Sequence, residues 1–167
     1  MIQRYEYRRE LAGLGAPGAA GGLAGQLRQP TPADAELLAQ LMFDAYRGTI
    51  DDGGETIENA RDETTSYLAS VVNPPLLGCS WLVAQPGQLV AACLACLWSR
   101  RATPLVAYVI VRASHKRQAL GQLVLAQSLA SLRQAGYAEA RAVITSGNIP
   151  SERLFARLGF ARITESE

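Results

Sequence analysis

The stretch VIVRASHKRQALGQLVL, residues 109–125, joins an apolar run to a basic loop and then to an amphipathic run. The apolar part is typical of a buried strand, and the last part has apolar residues at helical spacing. The first amides of such a helix have no intrahelical partner and, with the helix dipole, favour an anion. Lys116 and Arg117 add two positive charges beside these amides. The stretch therefore predicts either an anion site or a solvated basic turn.

The sequence around this stretch predicts an α/β domain. Helical spacing and stop signals predict helices within 35–46, at 56–72, 119–134 and 150–158. Apolar or alternating runs predict strands at 2–11, near 27, and at 79–85, 89–98, 104–111, 139–145 and 160–164. Only residues 86–88 separate two of these strands, which favours an antiparallel hairpin. We expect a mixed, mostly antiparallel central sheet with helices on both faces.

The length and the glycine distribution predict the domain organisation. A chain of 167 residues with 49% hydrophobic content is sufficient for one compact core. Residues 11–25 are so rich in Gly and Ala that ordering them costs much conformational entropy. We therefore expect residues 1–26 to form a partly flexible N-terminal arm or linker and residues 27–167 to form the main domain.

Composition argues against several classes of partner and site. The formal net charge of +1 gives no reason to expect nucleic acid or a membrane surface as partner. No apolar run is long enough to span a bilayer, and the N-terminus has no apolar signal core. Cys93 and Cys96 lie three apart on a predicted strand and face opposite sides, so no metal site is expected. Buried free thiols predict a cytoplasmic protein.

Two motifs in order resemble the GNAT superfamily of acetyl-CoA-dependent N-acetyltransferases. In that superfamily a strand ending in Val is followed by Q/R-x-x-G-x-G/A, which residues 116–121 match with Lys116 and Ala119 as departures. A later Asn and a helix ending in G-F follow, as in NIPSERLFARLGF at residues 148–160. The predicted order of elements is similar to that of the superfamily over residues 27–164. The chain has no G-K-[ST] loop or G-x-G-x-x-G turn, which disfavours an unrelated nucleotide-binding module.

The resemblance implies a site for acetyl-CoA in which backbone N–H groups bind the pyrophosphate and a strand edge pairs with the pantetheine arm. The residues it places against the cofactor are Val109, Ile110, Val111, Lys116, Arg117, Gln118, Ala119, Leu120, Gly121, Gln122, Asn148 and Phe155. We expect Ala119 to be tolerated because alanine suits helical backbone angles. A bulky residue at Gly121 is expected to weaken coenzyme A binding.

The residues for chemistry are less regular than the cofactor motif. Many relatives carry a tyrosine as general acid where this chain has Phe155, and many carry a glutamate on the strand that precedes the motif, where the only protic side chain is Tyr108. Tyr108 is either catalytic or an aromatic residue of the cleft wall. Glu55 is either a general base or an ordinary acidic residue at a helix start.

The acceptor side is predicted from an acidic segment between the first two helices. In the superfamily this region lines the acceptor cleft, and here it contains the candidate acceptor-binding residues Tyr46, Asp51, Asp52 and Glu55. Acidic residues there would attract a cationic amine.

The resemblance therefore implies an acetyl-CoA-dependent N-acetyltransferase that acts on a small-molecule or peptide amine by direct attack in a ternary complex. It is compatible with a homodimer. The alternative is a GNAT-fold module that binds an acyl-CoA with little or no catalysis, as a sensor or interaction domain.

Overall fold

The computed structural model describes residues 1–18, 22–23 and 25–164, and within these ranges the chain forms one seven-stranded sheet and four α-helices. The strands are β1 (Arg4–Glu10), β2 (Gln26–Arg28), β3 (Trp81–Gln85), β4 (Gln88–Trp98), β5 (Thr103–Val111), β6 (Glu139–Thr145) and β7 (Ala161–Arg162). The helices are α1 (Ala35–Tyr46), α2 (Ile57–Ala69), α3 (Leu120–Gln134) and α4 (Ile149–Arg157). Single 3-10 turns lie at Pro32–Asp34, Leu77–Cys79 and Ala113–His115.

The sheet is mixed and mostly antiparallel, as the sequence predicted. Its strand order is β2-β3-β4-β5-β6-β1-β7. All neighbours are antiparallel except β5 and β6, which are parallel because α3 connects them in a crossover.

Two hydrophobic clusters lie on the two faces of the sheet. On one face, Leu38, Leu41 and Met42 of α1 pack with Leu94 of β4. On the other face, the apolar side of α3 and the end of α4 pack on β4 and β6, in a cluster that contains Cys93. Eight consecutive residues of β4, 89–96, are buried because helices cover both of its faces. The predicted helices on both faces are thereby confirmed.

The N-terminal strand lies inside the sheet. β1 pairs antiparallel with β6 along its whole length, from Arg4 opposite Thr145 to Glu10 opposite Glu139, and with β7 on its other side. The next residue, Leu11, is fully buried and its N–H donates to the Ala138 carbonyl at 2.8 Å. The strand predicted at 2–11 is confirmed, and the domain boundary at residue 26 stays a prediction.

Strands β5 and β6 separate towards their C-terminal ends. The two strands pair only at Leu105 with Arg141 and at Val106 with Ala142. A bulge where Leu94 and Ala95 of β4 pair with β5 lies at the same level. Beyond Val106, β5 therefore has a free edge facing the gap between the strands.

The cysteines behave as buried thiols. Cys79, Cys93 and Cys96 are free, and Cys93 and Cys96 belong to clusters on opposite faces of β4. Burial raises the pKa of the Cys93 thiol to about 12 and that of Cys96 to about 11. In the part of the chain that the structure describes, no helix is both long and apolar enough to cross a membrane.

Candidate functional site

The loop from β5 to α3 has an unusual backbone. Arg117 and Ala119 both have positive φ, at 69° and 56°, and Ala119 caps α3 in the left-handed conformation. The expectation that Ala119 suits its position through helical angles is therefore wrong, because α3 begins one residue later. Left-handed geometry favours glycine, which is the residue that the superfamily motif has at this point.

The first turn of α3 presents free backbone donors. The N–H groups of Leu120, Gly121 and Gln122 have no hydrogen-bond partner among the described residues, as helix geometry requires. Lys116, Arg117 and Gln118 are exposed beside them. The Lys116 ammonium makes one contact, at 3.5 Å from the Ala45 carbonyl. This end of α3 can bind an anion.

Gly121 faces the apolar side of α3. A Cβ atom at this position would lie 3.4 Å from Leu154, 3.6 Å from Val111 and 3.7 Å from Val109, which are ordinary van der Waals distances. The packing of α3 therefore accommodates a methyl group at this position, and the part of Gly121 in pyrophosphate binding stays a prediction.

A cavity of about 380 Å³ opens where β5 and β6 separate. Its wall is formed by both strands, the end of α1, the loop to α2, α2 itself, α4 and the first residue of β1. The lining residues are Arg4, Met42, Phe43, Tyr46, Arg47, Asp51, Asp52, Glu55, Ala60, Glu63, Val106, Ala107, Tyr108, Val109, Val143, Ile144, Thr145, Asn148, Ser151 and Phe155. The candidate residues Tyr46, Asp51, Asp52, Glu55 and Tyr108 are thus brought together.

Tyr108 and Glu63 form a hydrogen-bonded pair in this cavity. The Tyr108 hydroxyl on β5 donates to Oε1 of Glu63 on α2 at 2.7 Å. Burial and the bond to the Glu63 carboxylate raise the pKa of Tyr108, so the hydroxyl stays protonated. Oε2 of Glu63 has no partner among the described residues. β5 itself contains no carboxylate, and Glu63 of α2 places one beside Tyr108.

Tyr46 lies beside this pair and contributes a free hydroxyl. The side chain is half-buried at the end of α1, and no hydrogen bond joins its hydroxyl to any residue that the structure describes. Burial raises the pKa of Tyr46, the carboxylates of Glu63 and Asp51 raise it further, and the positive charge of Arg4 opposes them. Tyr46 is therefore within electrostatic reach of all three charged groups.

Asp51 attaches the α1–α2 loop to the opposite wall of the cavity. Its Oδ1 accepts from the Thr145 hydroxyl at 2.7 Å, and its Oδ2 accepts from the Asn148 amide at 2.8 Å. Asn148 in turn caps α4 by accepting from the Ser151 N–H at 3.3 Å. Asn148 thus binds a protein carboxylate in this structure, and its assignment to the cofactor stays a prediction.

The other acidic candidates bind the loop backbone. Asp52 accepts from the N–H groups of Gly48 at 2.8 Å and Gly54 at 2.9 Å, and these bonds lower its pKa. Glu55 accepts from the Gly53 N–H at 2.9 Å. Both carboxylates are exposed on the cavity rim and shape the loop. The role of Glu55 as a base stays a prediction, and Glu63 is a second carboxylate of the cavity.

Phe155 contributes an apolar wall. The ring is buried and packs edge-to-face on Phe160, with the ring centroids 4.9 Å apart. It lines the cavity without a group that can donate a proton.

Glu63 and Arg4 are among the cavity residues that the sequence analysis did not name as individual candidates. Glu63 was one member of an acidic run, and nothing local marks it out from Asp62, since its partner Tyr108 is 45 positions away. Arg4 lies in the predicted N-terminal arm, and only the pairing of β1 with β6 brings it to the cavity.

A comparison with known protein families identifies the family of this chain. Residues 82–167 match the family described as FR47-like protein. The chain belongs to this family. The FR47-like family is related to the GNAT superfamily, which confirms the resemblance inferred from the two motifs. A search of the curated proteins found no match.

Solved structures share the fold of this FR47-like chain at low sequence identity. A GCN5-related N-acetyltransferase from Sphaerobacter thermophilus has a TM-score of 0.71 and 16% identity over 97% of this chain and 49% of its own. A GNAT-family acetyltransferase described as putative, from Desulfovibrio desulfuricans, has a TM-score of 0.64 and 16% identity over 84% and 87%. AAC(6')-Iy, in complex with the bisubstrate analogue CoA-S-monomethyl-acetylneamine, has a TM-score of 0.61 and 14% identity over 87% and 96%.

The FR47-like chain covers these structures to different extents. It spans about half of the Sphaerobacter protein but nearly all of AAC(6')-Iy. At such identities the likeness establishes the fold.

Proposed function

We propose that this FR47-like protein is an acetyl-CoA-dependent N-acetyltransferase that moves an acetyl group to a primary amine by direct attack in a ternary complex. The observation that carries the proposal is the pair formed by Tyr108 and Glu63. It places a carboxylate with one free oxygen beside the open edge of β5, in the cavity where β5 and β6 separate. A base, a strand edge and an anion site at the start of α3 are thus combined.

The residues present fit a coenzyme A group. The free N–H groups at the start of α3, with Lys116 and Arg117, would hold the pyrophosphate. The free edge of β5 at Val109–Val111 would pair with the amides of the pantetheine arm. AAC(6')-Iy, which shares the fold, contains a coenzyme A analogue in its structure. When bound, acetyl-CoA supplies an activated thioester.

The chain's own residues would then deprotonate and position the amine. The amine nitrogen bonds to the thioester carbonyl carbon as the carbon–sulfur bond breaks, and the proton lost from nitrogen passes to Oε2 of Glu63. Tyr108 keeps the Glu63 side chain against β5. Phe155 cannot donate a proton, and none would be required there, because a thiol with a reference pKa of about 8.5 can depart as the thiolate.

The alternative is an acyl-CoA-binding module with little catalysis, and Phe155 is the observation that favours it. A phenyl ring occupies the wall where many GNAT enzymes have a proton-donating tyrosine. Both functions require coenzyme A binding. Only the enzyme requires Glu63.

The test combines binding and turnover. Calorimetric titration is expected to show micromolar binding of acetyl-CoA and none of ATP, and acetyl-CoA with a panel of polyamines, amino acids and peptides is expected to release free thiol. Glu63→Gln should retain acetyl-CoA binding and lower kcat/KM by about 100-fold, the usual contribution of a general base.

Asp62→Asn is the matched control, because it removes the same charge from the exposed neighbouring residue. This variant should stay within about twofold of the wild type in kcat/KM. Binding without thiol release for any amine would establish the binding module instead. Equal loss in both variants would overturn the role of Glu63.

A further inference from the structure

Arg4 is an exposed cation on the cavity wall that has no partner among the described residues. Arg4 enters from β1, and its guanidinium makes no hydrogen bond or ion pair within the ranges that the structure describes. It lies beside Thr145, its partner in the β1–β6 register. Thr145 donates to Asp51, whose two carboxylate oxygens accept from Thr145 and Asn148.

Other arginines of the same region are engaged. Arg141 of β6 pairs with Glu6 at 3.2 Å and Glu139 at 3.3 Å. Arg8, on the same face of β1 as Arg4, lies 3.8 Å from Glu139. Arg4 therefore differs from its neighbours in being left without an acid.

The second arginine of the cavity lies at a different place. Arg47 stacks on the Phe43 ring, 5.2 Å from its centroid, and its charge acts on Asp52 at the rim. The charge of Arg4 acts on Tyr46, together with those of Glu63 and Asp51. Arg4 is exposed and lines the same cavity as Tyr46 and Glu63, so a ligand in the cavity can reach its guanidinium.

We propose that the acceptor is an amino acid, a small molecule with a carboxylate in addition to its amine, and that Arg4 binds the carboxylate while Glu63 receives the amine. This inference rests on the function proposed above. A guanidinium can hold a carboxylate through two parallel N–H bonds, which fixes both the position and the orientation of the ligand. The Tyr46 hydroxyl, which has no partner among the described residues, lines the same cavity and can donate to the same carboxylate.

The proposal accounts for the mixed charge of the cavity. A purely acidic cleft would suit a polyamine, and the unpaired Arg4 would repel one. An amino acid has both a carboxylate and an amine. Its carboxylate would bind Arg4, and its amine would bind the free oxygen of Glu63.

The test compares amines that differ only in the carboxylate. Thiol release from acetyl-CoA is measured with glycine, the other standard L-amino acids except cysteine and proline, β-alanine and γ-aminobutyrate, and with the carboxamide of each. At least one acid is expected to exceed its carboxamide tenfold or more in kcat/KM. Without a carboxylate site the carboxamide would react faster than the acid, because a nearby carboxylate keeps an amine protonated.

Arg4→Gln is then expected to lower kcat/KM for that acid on the order of tenfold and to leave the carboxamide within about twofold. Arg8→Gln is the control: it removes the same charge from the same face of β1, four residues away from the cavity. Carboxamides used as well as acids, or an equal loss for both in Arg4→Gln, would overturn the inference.

A binding measurement separates this inference from the proposed function. The same pairs are titrated calorimetrically into the protein with and without coenzyme A. Tighter binding of an acid than of its carboxamide, abolished in Arg4→Gln, without any thiol release would contradict the enzyme and support the carboxylate site. Absence of binding and turnover for every acid would overturn the carboxylate site.

Discussion

A single alanine takes up the left-handed conformation at the start of α3. Ala119 has φ 56° and ψ 22°, which costs a non-glycine residue roughly 1–2 kcal/mol. The residue is exposed, so its methyl group gains little from packing. The loop therefore has the left-handed conformation that suits a glycine, although alanine occupies the position.

Replacing this alanine by glycine should stabilise the protein. Ala119→Gly is expected to raise the free energy of unfolding by up to about 1 kcal/mol, because the strain relieved exceeds the entropy that glycine adds to the unfolded chain. Urea denaturation measures the change. Ala126→Gly, inside α3, should lower the free energy of unfolding by about 1 kcal/mol. A loss of stability in both variants would contradict the left-handed assignment.

Single residues were selected from their chemistry and from the family resemblance, and their roles stay predictions. Tyr108 was the only protic side chain of the strand predicted at 104–111, and Tyr46, Asp51, Asp52 and Glu55 lay in an acidic segment. All line the cavity. Which acid faces Tyr108 could not be foreseen, because adjacent helix residues point about 100° apart and the helix orientation is set by tertiary packing.

At the scale of elements, the α1–α2 loop is held by one carboxylate. Asp51 reaches across the cavity to the last residue of β6 and the cap of α4. The loop's other acids, Asp52 and Glu55, bond only within the loop. Asp51 thus fixes where the loop lies, and the others fix how it is folded.

Removal of this contact should loosen the acceptor side of the cavity. Asp51→Ala is expected to cost about 1–3 kcal/mol, because two bonds to a half-buried carboxylate are lost and the Thr145 hydroxyl loses its acceptor. Hydrogen exchange should increase in residues 47–55 and at the start of α4. Asp52→Ala should increase exchange within the loop alone. Identical exchange patterns in the two variants would argue against the contact across the cavity.

Elements themselves were well predicted from the sequence. The hairpin of β3 and β4 follows from the short turn, and α3 follows from its apolar stripe and Gly136, which has φ 94° after the helix. The observed ends of the elements differ from the predicted ends by one to three residues where a capping residue sets the end. Thr56, for example, precedes α2 and accepts from the Asn59 N–H at 3.2 Å. The separation of β5 from β6 could not be predicted, because it depends on pairing between distant segments.

At the scale of the whole molecule, the position of β1 between β6 and β7 was the main feature that sequence patterns could not predict. The alternation of RYEYRRE predicts a strand but not its neighbours. Pairing with β6 and β7 joins residues that lie 129 to 155 positions apart. A glycine-rich connection such as residues 11–25 gives no indication of where its two ends are attached.

Deletion of residues 1–10 should therefore damage the whole sheet. The deletion would leave β6 and β7 with unpaired edges, and we expect a fall in Tm of at least about 10 °C or aggregation. A synthetic peptide of residues 1–11 should restore the Tm, whereas the same peptide with Tyr7→Pro should not, because proline cannot donate in an inner strand. An unchanged Tm after deletion would show that the strand contributes nothing to the sheet.

The position of β1 also has a consequence for the order in which the site forms during synthesis. Residues 4–10 leave the ribosome before any other part of the sheet, yet their neighbours, residues 139–145 and 161–162, are translated last. Arg4 can reach the cavity only after those late segments exist. A nascent chain would thus complete the start of α3 first, whereas Arg4 and the α1–α2 loop, which Asp51 binds to Thr145 and Asn148, would reach their places only after β6 and α4 exist.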